Sequence, residues 1–279
     1  MNDSSLEKPL ISIIIVQYNN GWMTRRAIDS FRRHYRGDHE IILVDNATTD
    51  AASRELLRSS ESFKVLSSQE NLGFSVANNR GAAAAQGDVL LLLNNDTITK
   101  MDFVSPILDQ FRSRQDIGII GPRLNNEDGS LQLSCGRLPS LRQEAIDKIL
   151  YRYVDARRPW ARRYVERKYH APQFVEWVTG AALFVRKDLF SRLNGLDEEI
   201  FMFFEDKDLC ARALGQGAKI LYFPEVTVTH VRGATSAAQH SDIIRSIYQR
   251  GQMHYYLKHR NLLERIALRL YHREFFKGS

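Results

Sequence analysis

The amino-acid sequence predicts an α/β fold: a mixed, mainly parallel sheet flanked by helices, with a basic helical extension at the C-terminal end. Three observations predict it. Short apolar runs alternate with helical patterns along the first part of the chain. Each strong run stops in polar residues: Gln17-Tyr18-Asn19, Asp45-Asn46 and Asn94-Asn95-Asp96. Near the end, Leu262, Ile266 and Leu270 recur at helical spacing beside Arg265, Arg269 and Arg273.

Leu10 to Val16 is β-branched and almost wholly apolar, the pattern of a buried parallel strand. A helix with Met23, Ala27, Ile28 and Phe31 on one face follows. Glu40 to Val44 is the next strand, with Thr48, Thr49 and Asp50 as capping candidates behind it. Phe63 to Leu66 is a weaker strand, Asn71-Leu72-Gly73 a turn, and Phe74 to Gln86 a helix that needs close packing at Ala82 to Ala85. Val89 to Leu93 is too short for an independent helix and lies between Gly87 and an Asn-Asn-Asp stop, so it reads as a strand buried on both faces. This alternation favours parallel strands joined by helical crossovers.

Beyond a helix over Met101 to Arg112, Ile117 to Gly121 is a short strand. Asn125 to Gly129 is a hairpin turn, with Leu131 and Leu133 alternating after it. A basic segment then intervenes before Trp177 to Val185, a strand whose Gly180 admits a close approach. Lys187 to Leu193 is a short helix ended by Asn194-Gly195. Phe201 to Phe204 delivers Glu205-Asp206-Lys207-Asp208 at the head of a further helix, and Ala218 to Phe223 and Val226 to His230 read as two strands. The expected organisation is a tail over 1–9, a domain over 10–235 with a basic helical insertion at 141–170, and an amphipathic helical extension over 236–279.

The net charge of +6 is concentrated. Tyr151 to Tyr169 holds seven basic residues against two acidic ones, and Arg245 to Lys277 eight against two, so the remainder is net negative. That distribution points to an anionic surface met by an appendage, for which a membrane or a nucleic acid both qualify. No apolar run reaches the roughly 18 to 20 residues that cross a bilayer. The N-terminus lacks a signal peptide's apolar centre, so a cytoplasmic location is expected. Cys135 and Cys210 stand apart from each other and from any Cys/His pattern, which leaves buried free thiols rather than a disulfide framework or a zinc site.

A row of polar strand ends suits a nucleotide crevice, with a carboxylate for base or ribose and oxygen ligands for a phosphate-bound cation. No Gly-x-Gly-x-x-Gly follows the first strand and no Gly-Lys-Ser/Thr loop occurs, which disfavours dinucleotide and P-loop sites. Three acids directly behind four large apolar residues exceed what helix capping needs. They fit a pocket wall, where burial and mutual repulsion raise one carboxyl toward a useful base. His230, followed at once by Arg232-Gly233, is open to a metal or phosphate role.

Val44-Asp45-Asn46, Glu70 to Phe74, Leu93 to Asp96, Phe204 to Cys210 and His230 to Gly233 occur together in this order. Together they resemble the family-2 glycosyltransferases, inverting enzymes of the GT-A fold, and most nearly the bacterial rhamnosyltransferases of O-antigen and cell-wall polysaccharide assembly. The resemblance covers roughly residues 10–235. It implies that Gln17, Tyr18, Asn19 and Asp45 hold base and ribose, that Asn71, Gly73 and Asn78 line the nucleotide, and that Arg232 joins them. Asn94-Asn95-Asp96 stands where the family has Asp-x-Asp, with an amide for the first carboxylate. Asp96 is then the implied direct ligand of Mg²⁺ or Mn²⁺, with His230 as a second, and Asp206 is the implied base with Glu205 as its rival.

The implied donor is dTDP-rhamnose, or else a UDP-sugar, and the implied acceptor a polyisoprenyl-diphosphate-linked saccharide at the inner face of the cell membrane. The basic helices would meet that anionic surface, with Trp160, Tyr255 and Tyr256 as anchors. Two other readings remain at this point: a basic nucleic-acid-binding protein, disfavoured because no nucleic-acid module is present, and a nucleotide-sugar binder that has lost catalysis through Asn94.

Overall fold

The computed structural model describes residues 11–59, 63–231 and 242–275. Its centre is β1 (Ile11–Gln17), which pairs in parallel with β2 (His39–Asn46) on one side and β4 (Val89–Leu93) on the other. β3 (Lys64–Ser68) continues the parallel run beyond β2. Past β4 the sheet turns mixed. β11 (Ala182–Arg186) runs antiparallel to both β4 and β6 (Ile117–Asn125), and β12 (Lys219–His230) is parallel to β6. β5 (Thr97–Thr99), β7 (Leu131–Gln132) and β9 (Gln173–Val175) add short antiparallel pairings to β12, β6 and β12 respectively. β8 (Cys135–Gly136) and β10 (Trp177–Val178) form a separate two-stranded sheet.

Alternation along β1 and β4 divides the core into two layers. Ile11, Ile13 and Ile15, with Val89, Leu91 and Leu93, face α1 (Gly21–His34), α2 (Ala51–Arg58) and α4 (Ser105–Ser113) through Ile28, Phe31, Leu56, Ile107 and Phe111. Ile14, Leu90 and Leu92 face the other way, toward α3 (Gly73–Ala84), α6 (Pro159–Lys168), α7 (Lys187–Arg192) and α8 (Glu205–Gly215). All five residues of β4 are buried, which at about 1.5 to 3 kcal/mol per large apolar side chain makes this strand a main source of stability. The alanine-rich helix α3 lies close on the sheet: a Cβ at Gly81 would come 2.5 Å from Ile14.

Two sequence expectations are revised. The two strands expected after Ala218 are one, β12, because a bulge carrying Pro224 absorbs the break: its register with β6 jumps between Phe223 and Thr227. The single strand expected over Trp177 to Val185 is two, β10 and β11, interrupted at Thr179-Gly180-Ala181. β11, antiparallel to both neighbours, makes the sheet mixed, as expected.

The basic segment folds as α5 (Leu141–Asp155) and α6. Arg123 of β6 holds α6 with a two-pronged pair to Glu166, at 2.7 and 2.9 Å. The C-terminal extension is α9 (Asp242–His259) and α10 (Leu262–Phe275). Tyr255 and Tyr256 of α9 are fully buried, packed with Phe204 and with Leu268 of α10, so the expectation that they anchor a membrane interface is overturned. Trp160 is exposed. Both cysteines are free and buried, and burial pushes the Cys210 thiol up to about 12.

Candidate active site

The polar strand ends gather along one edge of the sheet. Gln17 closes β1 with its side chain fully buried, donating to Ser53 Oγ at 2.6 Å and to the Asn19 carbonyl at 2.9 Å and accepting from the Thr24 hydroxyl. It holds the following loop in shape. In that loop Asn19 and Asn20 adopt left-handed conformations, which asparagine tolerates better than most residues. The Asn19 side-chain oxygen accepts from the backbone N–H groups of Thr49 and Asp50, at 2.9 and 3.3 Å. Tyr18 is left half-exposed beside it.

Asp45, at the end of β2, is buried and accepts from the Thr48 N–H at 3.0 Å. Asp50 caps α2, accepting from the Ser53 N–H at 2.9 Å. Asn46, noted in the sequence as a strand end but given no role of its own, binds the next element. Its amide donates to Asn71 Oδ1 at 2.8 Å and its oxygen accepts from the Leu72 N–H at 2.8 Å. Gly73 has a φ of 82°, in the region that suits glycine, and its N–H donates to Asn71 at 3.0 Å. Asn78 is buried within α3 and donates to the Phe74 carbonyl at 2.9 Å.

At the end of β4 the three polar residues part. Asn95 donates to Thr24 Oγ1 at 3.1 Å, joining the Gln17 network. Asn94 approaches His230 Nε2 at 3.4 Å, and Asp96 Oδ1 lies 3.1 Å from the same nitrogen. β5 pairs with β12 so that Thr97 faces His230, which is why residues this far apart in sequence meet. The Nδ1 of His230 is 2.9 Å from Gln132 Oε1, an acceptor, so Nδ1 donates. Nε2 thus faces both the Asp96 carboxylate and the Asn94 amide, a ring nitrogen side by side with an oxygen donor. Asp96 and His230 therefore fit a two-donor cation site. Among the described residues no group of three or more His, Cys, Asp or Glu side chains assembles as a cation site. Arg232 lies outside the described residues.

The other half of the site is the head of α8. Phe203 and Phe204 precede it with φ of 70° and 73°, left-handed values that cost a bulky residue about 1 to 3 kcal/mol each. Glu205 and Asp206 are both buried. Asp206 accepts from the Gly180 N–H at 3.1 Å and from the Lys207 N–H at 2.8 Å, with the Lys207 ammonium at 3.6 Å. Lys207 is itself held over the Trp177 and Phe204 rings, at 4.5 and 4.8 Å. Burial, and then the Asp206 charge, push the Glu205 carboxyl far above the ordinary carboxylate range. One buried oxygen of Glu205 has no partner among the described residues, which a protonated acid tolerates better than an anion.

The two halves meet at the break between β10 and β11. The Gly180 N–H serves Asp206, and the adjacent Ala181 carbonyl accepts from the Asn94 N–H at 2.9 Å. A Cβ at Gly180 would lie 3.4 Å from Phe74 and 3.7 Å from Asp206, ordinary contacts, so the close approach expected there is not what this residue provides. Its donor is.

The decisive comparison is with the family model Glycosyl transferase family 2, which matches residues 12–173. The chain belongs to glycosyl transferase family 2. As a member of that family it is 27% identical over 233 residues to the N-acetylglucosaminyl-diphospho-decaprenol L-rhamnosyltransferase of Mycobacterium tuberculosis, covering 79% of this chain and 76% of that relative. It is 25% identical over 250 residues to the O-antigen biosynthesis protein RfbC of Myxococcus xanthus, covering 82% of this chain but only 18% of the relative. Its fold is similar to that of GalNAc-T7, solved with UDP, GalNAc and Mn2+, with a TM-score of 0.61 at 18% identity, over 80% of this chain and 43% of that one. The mixed sheet with flanking helices is thus the GT-A architecture that the sequence motifs imply, and the family-2 resemblance is established.

Proposed function

We propose that this family-2 glycosyltransferase moves L-rhamnose from dTDP-rhamnose onto a hydroxyl of a lipid-linked saccharide, with inversion at the anomeric carbon. The observation that carries the proposal is the junction at Gly180-Ala181, which sets the buried carboxylate of Asp206 against the strand end bearing Asn94 and Asp96. Inverting transfer needs a base and a charge-stabilising group on opposite sides of one sugar, and the head of α8 and the end of β4 are assigned those two roles.

Asp206 is the base in this reading. It is the hydrogen-bonded carboxylate of the pair, whereas Glu205 is held protonated. Asp206 takes the acceptor hydroxyl's proton as that oxygen attacks the anomeric carbon and the bond to the nucleoside diphosphate breaks; such a base contributes about 10² to 10⁴ in rate. Asp96 and His230, 3.1 Å apart, would hold the divalent cation, Mg²⁺ or Mn²⁺. When bound, that ion offsets charge on the diphosphate oxygens. Tyr18, Asn19 and Asp45 receive base and ribose within a loop that Gln17 stiffens, and Asn71, Gly73 and Asn78 form the wall of the nucleotide cleft. Arg232, outside the described residues, is assigned to the donor by the family resemblance alone.

The acceptor reading draws on the name of the mycobacterial relative, whose substrate is diphospho-decaprenol-linked. It is supported by the surface of the chain. Trp160 and Tyr164 of α6, Ile149 of α5, and Leu262, Leu263, Ile266 and Leu270 of α10 are exposed among arginines and lysines, which suits a peripheral contact with an anionic bilayer. No helix among the described residues is long and apolar enough to cross a membrane.

Release of nucleoside diphosphate is the test, measured over dTDP-rhamnose and a panel of UDP-sugars with and without Mn²⁺ and a polyisoprenyl-diphosphate-linked acceptor. Turnover with dTDP-rhamnose that Asp206→Asn abolishes supports the proposal. Preference for a UDP-sugar replaces the donor, and wild-type turnover in Asp206→Asn overturns the mechanism.

A further inference from the structure

The left-handed turn at Phe203-Phe204 contains no glycine, so something outside it must keep it in place. α9 supplies what the turn lacks. Gly251 lies with its backbone against the turn: a Cβ there would come 2.5 Å from the Phe203 carbonyl oxygen and 3.3 Å from that of Met202. The ring of Tyr248 sits 5.7 Å from that of Phe203 and 5.2 Å from that of Phe204, and Tyr255 lies 5.8 Å from Phe204.

The same helix reaches both ends of the segment that contains the turn. Upstream, His254 and Lys258 grip Asp197 at 2.9 and 2.7 Å. Downstream, Lys258 and His259 grip Asp208, which is fully buried, at 2.9 and 2.7 Å, while Arg212 of α8 takes its other oxygen. Gly251, His254, Tyr255, Lys258 and His259 fall at spacings of three and four, one face of a helix. Two ionic anchors thus bracket a tight backbone contact, and the turn they bracket is the one that aims Glu205 and Asp206.

We infer that α9 is a positioning clamp for the acid pair: Lys258 and His259, acting through Asp208, and Gly251, acting on the Phe203 backbone, hold the turn that sets Glu205 and Asp206 in the active site. None of the three touches the reacting atoms. The clamp's kinetic consequence rests on the glycosyl-transfer reading above; its structural consequence does not. Helix α9 also carries α10, so the element that presents apolar and basic residues to the outside is continuous with the one that orders the carboxylates.

Two independent variants test this, Lys258→Met/His259→Gln and Gly251→Ala, the second leaving every ionic partner in place. In the folded variants, amide hydrogen exchange over 199–209 rises by about tenfold or more while β1 and β4 stay protected. The rate of nucleotide release at saturation falls by about 10²-fold, as for a misplaced base, with the donor KM within about twofold of wild type. Lys258→Arg, which restores the cation, recovers most of the rate. Unchanged protection over 199–209 in both folded variants overturns the clamp, as does loss of protection equally throughout the sheet, which marks a general stabilising role. If the wild-type protein turns over no nucleotide sugar, the functional reading fails and the exchange result still decides the clamp.

Discussion

The Gly180 N–H donates to Asp206 Oδ2 at 3.1 Å, one residue before the Ala181 carbonyl accepts from Asn94. A single backbone break therefore sets the spacing between Asp206 and the strand end that bears Asn94 and Asp96. Gly180→Ala keeps the donor and meets only ordinary contacts, so it is expected to retain turnover within a few-fold. Gly180→Pro removes the donor and is expected to cost about tenfold or more in kcat. Steady-state nucleotide release distinguishes the two.

Glu205 and Asp206 are expected to separate by substitution. Asp206→Asn removes the base and lowers kcat by about 10² to 10⁴. Glu205→Gln replaces a protonated acid with a near-isostere and changes kcat far less. The pH dependence of stability carries the sign. The Glu205 carboxyl is raised above its ordinary 4.5, so its stabilising protonation is fully present below that value and is lost as pH rises toward the folded-state pKa. Glu205→Gln should therefore gain in Tm over wild type as pH increases from 5 to about 8.

Asp208 shows the opposite behaviour. His259, Arg212 and Lys258 hold its carboxyl well below the ordinary 3.8, against the burial that opposes them. Its contribution is present above the ordinary value and is lost as pH falls through the depressed one. Asp208→Asn leaves the Arg212 and Lys258 charges and the His259 ring around a buried amide and is expected to lose about 3 to 5 kcal/mol at neutral pH, with the difference from wild type narrowing in acid. Thermal unfolding over a pH series reads both effects.

Removing one donor from the Asp96–His230 pair should weaken the cation response. With Mn²⁺ and nucleotide present at about a hundred times their dissociation constant, the wild-type protein gains about 2.7 kcal/mol of apparent stability. Asp96→Asn should lose most of this gain and His230→Ala part of it. Equal gains in all three proteins would remove both residues from the cation site.

On α10, Leu263→Glu and Ile266→Glu place charge on side chains that are already exposed, so folding should be spared. Sedimentation with anionic vesicles is expected to fall by about tenfold or more, and wild-type binding to weaken with salt. Vesicle binding that ignores both variants would move the membrane contact to another surface.

β1 and β4 were legible because their apolar runs end abruptly, and the Asp50 cap because its residue type and place in the chain agree. Long-range pairing was not legible. Gln17 looks like an exposed strand end in sequence, and only its partners Ser53 and Thr24 bury it. Tyr255 and Tyr256 look interfacial until Phe204 covers them. Arg212 is a local partner of Asp208, but Lys258 and His259 stand some fifty residues along the chain, and no local pattern joins them to it. The different environments of Glu205 and Asp206 arise from desolvation and from one N–H across the sheet, neither of which is written in adjacent positions. The continuity of β12 was hidden because Pro224 reads as a breaker, whereas the bulge accommodates it.

That bulge limits how the gene can change. Between the pairs Phe223↔Pro122 and Thr227↔Arg123, β12 gains three residues on its neighbour, after which His230 lands opposite Thr97. Successive strand residues point to opposite faces, so deleting or inserting one residue here turns His230 away from Asp96, whereas a change of two preserves its side. The parity of this corner's length thereby matters to the cation pair as much as the identity of the strand's last residue.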